Sequence, residues 1–336
     1  MCDLSVFLLL TGVAAGYMIF IHTNFASAVD ELSSSIHVPT WVSFLVTPVL
    51  PCLLVLLRTY ENLAKVASTG VICVMISFLT IFIVGPIYST PPPVSSLTVF
   101  DVSKLPQVLG ISAFLLAIHS AVMSFAGELS PFLPAPKMRR TIALGCIIVS
   151  ISNITIALYG YFLWGNDVNG YVFCNVNKSP AVTTLKFLLC IELLCSLPFA
   201  VRPNIEIFEK MAGVEHGGSW GVEMKRNVMR VGLVLLSYGV TIAVPVFQDC
   251  LTIVGGVAGS AVAFVIPPAV HLKLLASGTG KGEEGDYMGY GSERGRRWAM
   301  AADGAIIVFG VAVQGWTAYS SIESILHPSD DDNNGC

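Results

Sequence analysis

Residues 250–274 have the sequence CLTIVGGVAGSAVAFVIPPAVHLKL, in which the first charged side chain is Lys273, next to the last residue. The hydrocarbon core of a bilayer is about 30 Å thick, so a helix of about 20 mostly apolar residues can cross it. The stretch is long enough and apolar enough to do so. It therefore predicts one membrane-spanning helix.

Eight further apolar stretches of similar character occur along the chain. With the first, the predicted spans are 4–25, 40–57, 69–89, 107–127, 141–164, 181–201, 228–247, 250–274 and 299–321. The composition, with 54% hydrophobic and 12% charged residues, is typical of a membrane protein and not of a water-soluble domain. The predicted fold class is all-α, a polytopic membrane protein with nine transmembrane helices.

The basic residues are distributed unevenly among the gaps between these spans. Of the 18 Lys and Arg residues, all but Lys104, Lys178 and Lys186 lie in or beside the second, fourth, sixth and eighth gaps. Because cytoplasmic loops are enriched in Lys and Arg, these gaps are predicted to be cytoplasmic. The N-terminus is then cytoplasmic and the C-terminus extracytoplasmic. Lys186 lies inside a span, near its outer end, and is expected to snorkel to the surface.

No long linker or low-complexity tract divides the chain. We predict one transmembrane domain over 1–322 and an acidic polar tail over 323–336. The sequence has no metal-ligand spacing, no nucleophile motif and no paired acid and base, which speaks against an enzyme or a bound cofactor. Three cysteines fall on the predicted outer side, where disulfides are permitted, but no pair is selected among Cys174, Cys250 and Cys336.

The centre of the fourth span is rich in small and polar residues around His119. An ionisable side chain at such depth usually faces a cavity or a partner, because it is costly to place in lipid. His119 could hydrogen-bond a carboxylate substrate or carry a proton. The alternative is a neutral histidine that is hydrogen-bonded to a neighbouring helix.

The sixth span carries Glu192 near its middle, and Pro198 and Pro203 near its inner end. It is therefore predicted to be both charged and interrupted. Glu192 would carry a proton or bind a cation, which are common roles for a carboxyl group inside a membrane. The alternative is a buried, protonated carboxyl group with a local hydrogen bond.

The region before and within the eighth span has a short acidic turn at Asp249, a Gly-rich helix and an exit at Pro267 followed by basic residues. Gly255, Gly256 and Gly259 are predicted to lie on one side with Ser260 and to permit close helix contact, while Pro267 bends the exit. This arrangement resembles the signature of the amino acid/auxin permease family, that is, the amino acid transporter transmembrane domain. Further resemblances lie at 16–24, 157–168 and 197–210.

The resemblance implies a LeuT-like fold, with two inverted five-helix repeats and one trailing helix. It also implies a secondary active transporter of amino acids or related small solutes, which works by alternating access and is coupled to protons or sodium. This chain resembles the family from its third span onward. It is therefore expected to be truncated at the N-terminus, without the family's first two helices.

The resemblance also implies where the site lies. The expected substrate-binding residues are Phe114, Ile118, His119, Ser120 and Ala121 on the fourth span, with Tyr17 and Asn24 on the first. Ser196 corresponds to a family position that can help to bind a coupling ion. The predicted ion-coupling residues are Glu192, Ser196 and His119.

A second function is left open by the sequence, namely a transporter-like sensor, non-transporting subunit or fragment that binds an amino acid without translocating it. The expected partners are an amino acid or related small solute and the lipid bilayer, and no nucleic acid. The predicted location is the plasma membrane or a vacuolar or lysosomal membrane.

Overall fold

All regular secondary structure in the described residues is helical. In a computed structural model, the structure describes residues 2–32, 47–57, 60–115, 122, 133–169, 171–176, 179–214, 220–243, 247–277 and 293–326. The α-helices are α1 (Cys2–Leu32), α2 (Val49–Leu54), α3 (Tyr60–Val84), α4 (Leu105–Leu115), α5 (Ala135–Trp164), α6 (Pro180–Met211), α7 (Trp220–Ala243), α8 (Phe247–Ile253), α9 (Ile266–Ser277) and α10 (Glu293–Leu326). Short 3₁₀ turns lie between some of them. The predicted all-α class is confirmed for this part of the chain.

Six helical segments in the described residues are long and apolar enough to cross a membrane. They are Leu4–Leu32, Glu61–Ile87, Pro136–Asp167, Pro180–Met211, Cys250–Ser277 and Glu293–Glu323. Two other predicted spans, 40–57 and 107–127, lie partly outside the described residues. The predicted span 228–247 corresponds to α7, which also carries two arginines in its first half.

Several helices are longer than their apolar stretches. α1 ends at Leu32, where a span ending at residue 25 was predicted, and α6 ends at Met211 instead of residue 201. The predicted interruption of the sixth span is wrong, because α6 continues through Pro198 and Pro203. Each proline removes one backbone donor from the helix without ending it. α10 likewise continues to Leu326, past the predicted domain end at residue 322.

The Gly-rich part of the eighth span departs from a regular α-helix. Between α8 and α9 the chain forms π-helical turns over Val254–Gly259 and Ala261–Val265. A π turn replaces i to i−4 hydrogen bonds with i to i−5 bonds, and such turns are frequent at functional sites. We call residues 254–265 the π segment.

The described residues belong to two compact units. The larger unit comprises the described residues within 10–102 and 121–250. In it, Thr11 is hydrogen-bonded to Asn204, and Glu31 to Lys186, so α1 and α6 run antiparallel. α3 and α5 run parallel, because Tyr159 donates to the carbonyl of Phe82, while a Cβ atom on Gly85 would contact Leu163.

The smaller unit comprises the described residues within 2–9, 103–115 and 251–326. Its helices α9 and α10 run antiparallel, since His271 pairs with Asp303 and Phe264 packs on Phe309. In both units, the directions of these helix pairs agree with spans that cross a membrane alternately.

Candidate functional site

Glu192 and Ser196 lie one turn apart on α6 and are joined by a hydrogen bond. The hydroxyl of Ser196 donates to Glu192 Oε1 over 2.9 Å. Both side chains are partly buried. Glu192 lies close to the midpoint of the predicted span 181–201.

α3 lies against α6 at the level of this carboxyl group. A Cβ atom added to Gly70 would lie 3.2 Å from Cys195 Cβ and 3.3 Å from the carbonyl oxygen of Glu192. Glycine therefore permits the close approach of the two helices, as small residues do in membrane proteins. The contact fixes the backbone that carries Glu192.

Tyr17 of α1 is near enough to Glu192 for the two groups to interact electrostatically. A phenol that interacts with a carboxyl group in this way can also hydrogen-bond a polar solute. The larger unit thus brings together three residues that were predicted from sequence, Tyr17, Glu192 and Ser196, and we call them the α1–α6 polar cluster.

Asn24, the other predicted residue on α1, has a different environment. Its side chain is buried, and its amide donates to the carbonyl of Phe20 over 2.9 Å in the same helix. This bond occupies one of its two N–H donors. Its role in substrate binding stays a prediction.

Of the five residues predicted to bind substrate on the fourth span, Phe114 lies in α4. The other four, Ile118, His119, Ser120 and Ala121, lie outside the described residues. Phe114 packs directly on the π segment, because a Cβ atom added to Gly255 would lie 2.7 Å from Phe114 Cβ. The substrate-binding role of these residues stays a prediction.

The glycines of the π segment were predicted to lie on one side of a helix, but they contact two different helices. A Cβ atom on Gly255 would overlap the carbonyl oxygen of Gly110, and one on Gly259 would lie 3.3 Å from that of Ala113, so both face α4. A Cβ atom on Gly256 would instead overlap the hydroxyl of Thr317 in α10. The π segment is therefore clamped between α4 and α10.

A side chain of α10 also satisfies a backbone group of the π segment. Gln314 Nε2 donates to the carbonyl of Val257 over 2.7 Å, and Ser260 donates to the carbonyl of Gly255 over 3.4 Å. Carbonyl groups that leave a regular α-helical pattern need such donors inside a membrane. The segment is held in its irregular shape by these contacts.

A buried charged cluster at the end of α6 was not predicted from the sequence. Arg226 donates to both carboxylate oxygens of Glu209, over 3.1 Å each, and Arg230 donates to Oε1 over 3.1 and 3.3 Å. The Glu209 side chain is only 4% exposed. The Glu209 carboxylate thus binds two arginines of α7, and a second carboxylate, Glu223, accepts from Arg226.

The expectation that Lys186 snorkels to the surface is wrong. Its ammonium group is buried and lies 2.7 Å from Glu31 Oε1. Glu31 was outside the predicted first span, so its pairing was not foreseen. Recognising that α1 extends to Leu32 would have placed this carboxylate beside α6.

A third pair joins the helices of the smaller unit. His271 Nδ1 lies 2.6 Å from Asp303 Oδ2, between α9 and α10. His271 follows the Pro267 exit, in the basic part of the sequence signature. Cys174 of the predicted outer loop takes part in a disulfide bond, while the Cys250 thiol lies 3.9 Å from the carbonyl oxygen of Gly12.

A comparison with protein families finds a match. The model of the family described as transmembrane amino acid transporter protein matches residues 1–284. This range covers more than half of the 336 residues. No solved structure matches the chain significantly.

Individual relatives are more distant. The chain is 29% identical to the amino acid transporter AVT3C of Arabidopsis thaliana, over 64% of this chain and 46% of the relative. It is 24% identical to the vacuolar amino acid transporter 3 of Saccharomyces cerevisiae, over 93% and 44%. It is 26% identical to the vesicular inhibitory amino acid transporter of Xenopus tropicalis, over 52% and 35%. The chain therefore spans less than half the length of these three relatives.

Proposed function

Because this chain belongs to the transmembrane amino acid transporter family, we propose that it is a secondary active transporter of amino acids or related small solutes. The family match over residues 1–284 carries this proposal. The α1–α6 polar cluster supports it, since polar groups at mid-depth are needed to meet a solute that crosses the bilayer. Transport would follow alternating access in a LeuT-like arrangement of inverted helix repeats, driven by protons or sodium.

In this proposal, the α1–α6 polar cluster faces the transport path. The Tyr17 hydroxyl can donate to the carboxylate of an amino acid, while Glu192 and Ser196 bind the coupling ion. The residues of the fourth span, from Phe114 to Ala121, would shape the side-chain pocket. Asn24 would contribute from α1.

The membrane and the orientation are also part of the proposal. The relatives include proteins named as vacuolar and vesicular transporters, which supports an internal membrane of that kind. The uneven placement of Lys and Arg supports a cytoplasmic N-terminus. The antiparallel arrangement of α1 and α6 is compatible with this orientation.

Uptake into vesicles tests the proposal. The purified full chain is reconstituted, a pH or sodium gradient is imposed, and the entry of each labelled amino acid is followed. We expect concentrative uptake of at least one amino acid that collapses when an ionophore dissipates the gradient. Saturable binding without uptake, for any amino acid and either gradient, would favour the sensor and contradict transport.

Glu192 gives a second prediction with the same assay. Replacing it with glutamine keeps the shape and the bond from Ser196 but removes the titratable charge. We expect gradient-driven uptake to fall about tenfold or more, because an ionisable group inside a membrane usually serves ion movement. Glu61→Gln is the matched control, since Glu61 is an exposed carboxylate on α3 and its loss is expected to leave uptake unchanged. Equal uptake by the two variants would show that Glu192 does not couple uptake to the ion gradient.

A further inference from the structure

Glu31 of α1 and Lys186 of α6 form an ion pair that is almost completely removed from solvent. Lys186 Nζ lies 2.7 Å from Glu31 Oε1, and the side chains are 2% and 10% exposed. Lys186 also donates to the hydroxyl of Ser27 over 2.8 Å, and the hydroxyl of Thr183 donates to Glu31 Oε2 over 2.7 Å. The pair is therefore well hydrogen-bonded as well as buried.

Stability alone does not account for this pair. Removing two charges from water is costly, and well-packed apolar residues often replace a buried ion pair with no loss of stability. Ionisable groups within membrane-spanning helices usually mark ion or proton pathways. The chain also contains the same pair of residue types, Glu61 and Lys65, at 2.7 Å on the exposed surface of α3, where such a pair contributes little.

The position of the pair places it near one end of the larger unit. Glu31 is next to the last residue of α1, and Lys186 lies within the first two turns of α6. At a rise of 1.5 Å per residue, Glu192 is about 9 Å farther along the α6 axis. In the predicted topology, the pair lies between the outer aqueous phase and the α1–α6 polar cluster.

Other titratable groups border the pair on both helices. Asp30 precedes Glu31 on α1 and is exposed to solvent. Cys190, one turn beyond Lys186 on α6, is buried and interacts electrostatically with it. An exposed carboxylate therefore lies toward one end of α1, and a neutral thiol lies toward Glu192.

We propose that Glu31 binds the coupling proton from the outer phase before Glu192 does, and that the proton competes with Lys186 for the Glu31 carboxylate. A proton from the outer phase adds to a carboxylate oxygen of Glu31, and the charge-assisted bond from Lys186 is lost. Lys186 keeps its three protons and is left as a buried cation without a counter-ion. Because that state is costly, protonation favours separation of the ends of α1 and α6, which lets Lys186 reach water.

This inference rests on the proposed transport function and on protons as the coupling ion. The test uses the full chain in vesicles, with the inner pH fixed and the outer pH varied. For the unaltered protein, we expect labelled amino acid uptake to rise about tenfold across the titration of one proton site. Glu31→Gln mimics the protonated carboxyl group, so its uptake is expected to depend on outer pH by less than about twofold.

A second variant distinguishes loss of the proton site from misfolding. Glu31→Gln combined with Lys186→Met removes both charges and leaves no buried cation, so it is expected to fold and to show the same flat pH profile. Glu61→Gln combined with Lys65→Met is the matched control and should keep the pH profile of the unaltered protein. An unaltered profile in the buried double variant overturns the inference.

The failure of transport and the failure of the proton site give different results. No uptake of any amino acid by the unaltered protein defeats the proposed function, and the inference with it. If the unaltered protein takes up an amino acid but the uptake does not depend on outer pH, or depends on the sodium gradient instead, the inference is contradicted and the proposed transport function is not. A pH profile that is lost in the buried variants and kept in the exposed control supports both.

Discussion

Replacing Glu209 with alanine is expected to destabilise the protein by about 3–5 kcal/mol, because two buried guanidinium groups lose their shared counter-ion. Arg226 and Arg230 are 8% and 3% exposed, so water cannot replace the carboxylate. The two guanidinium groups, which lie on the same face of α7, would also repel each other. We expect a large fall in the unfolding temperature in detergent, measured by intrinsic fluorescence, or no recovery of folded protein.

Glu206 offers a control on the same helix. It pairs with Arg202 four residues earlier, but its side chain is 35% exposed, so Glu206→Ala is expected to cost less than about 1 kcal/mol. A triple change that replaces Glu209, Arg226 and Arg230 with leucine or methionine should recover part of the lost stability. If Glu209→Ala and Glu206→Ala unfold at the same temperature, the cluster does not hold α6 to α7.

Replacing Gly255 with alanine is expected to destabilise the smaller unit by about 1–3 kcal/mol or more, since overpacking forces the backbone to move. The new methyl group would overlap the carbonyl oxygen of Gly110 and would lie 2.7 Å from the backbone nitrogen of Phe114. Neither is the end of a flexible side chain, so rotamer changes cannot relieve the overlap. α4 and the π segment would have to separate, which we expect to lower both the unfolding temperature and the uptake rate.

Two other glycines of this unit provide the comparison. Gly304 and Gly315 lie on α10, and a Cβ atom on either would meet nothing within 4 Å. Alanine there is expected to be neutral or to stabilise the helix by about 0.5–1 kcal/mol, because glycine is a poor helix former. If Gly255→Ala and Gly315→Ala unfold at the same temperature, the close approach of Gly255 to α4 does not contribute to stability.

Hydrophobic stretches predicted the helical class and most of the crossing segments, because lipid requires long apolar helices. They did not predict where those helices end. α1 and α6 continue beyond their apolar stretches into charged residues, and these residues find partners on neighbouring helices. Glu31 and Glu209 both lie in such extensions, so the ion pairs they form could not be read from hydropathy.

The candidate site was predicted in part. The family resemblance and the cost of burying charge selected Tyr17, Glu192 and Ser196, which the larger unit brings together. The Gly-rich signature indicated close helix contact, but not that Gly255 and Gly256 face different helices, because an α-helical period does not describe a π segment. The prolines of α6 suggested a break that the helix does not have, since the effect of a proline depends on its neighbours.

Counterflow measures translocation most directly, without requiring that the coupling ion be known. Vesicles containing the full chain are loaded with an unlabelled amino acid and diluted into a trace of the labelled form. If the protein alternates between two access states, the labelled amino acid enters, transiently exceeds its external concentration and then declines. If purified protein binds that amino acid but the vesicles show no transient accumulation, the claim that this chain is a transporter is contradicted.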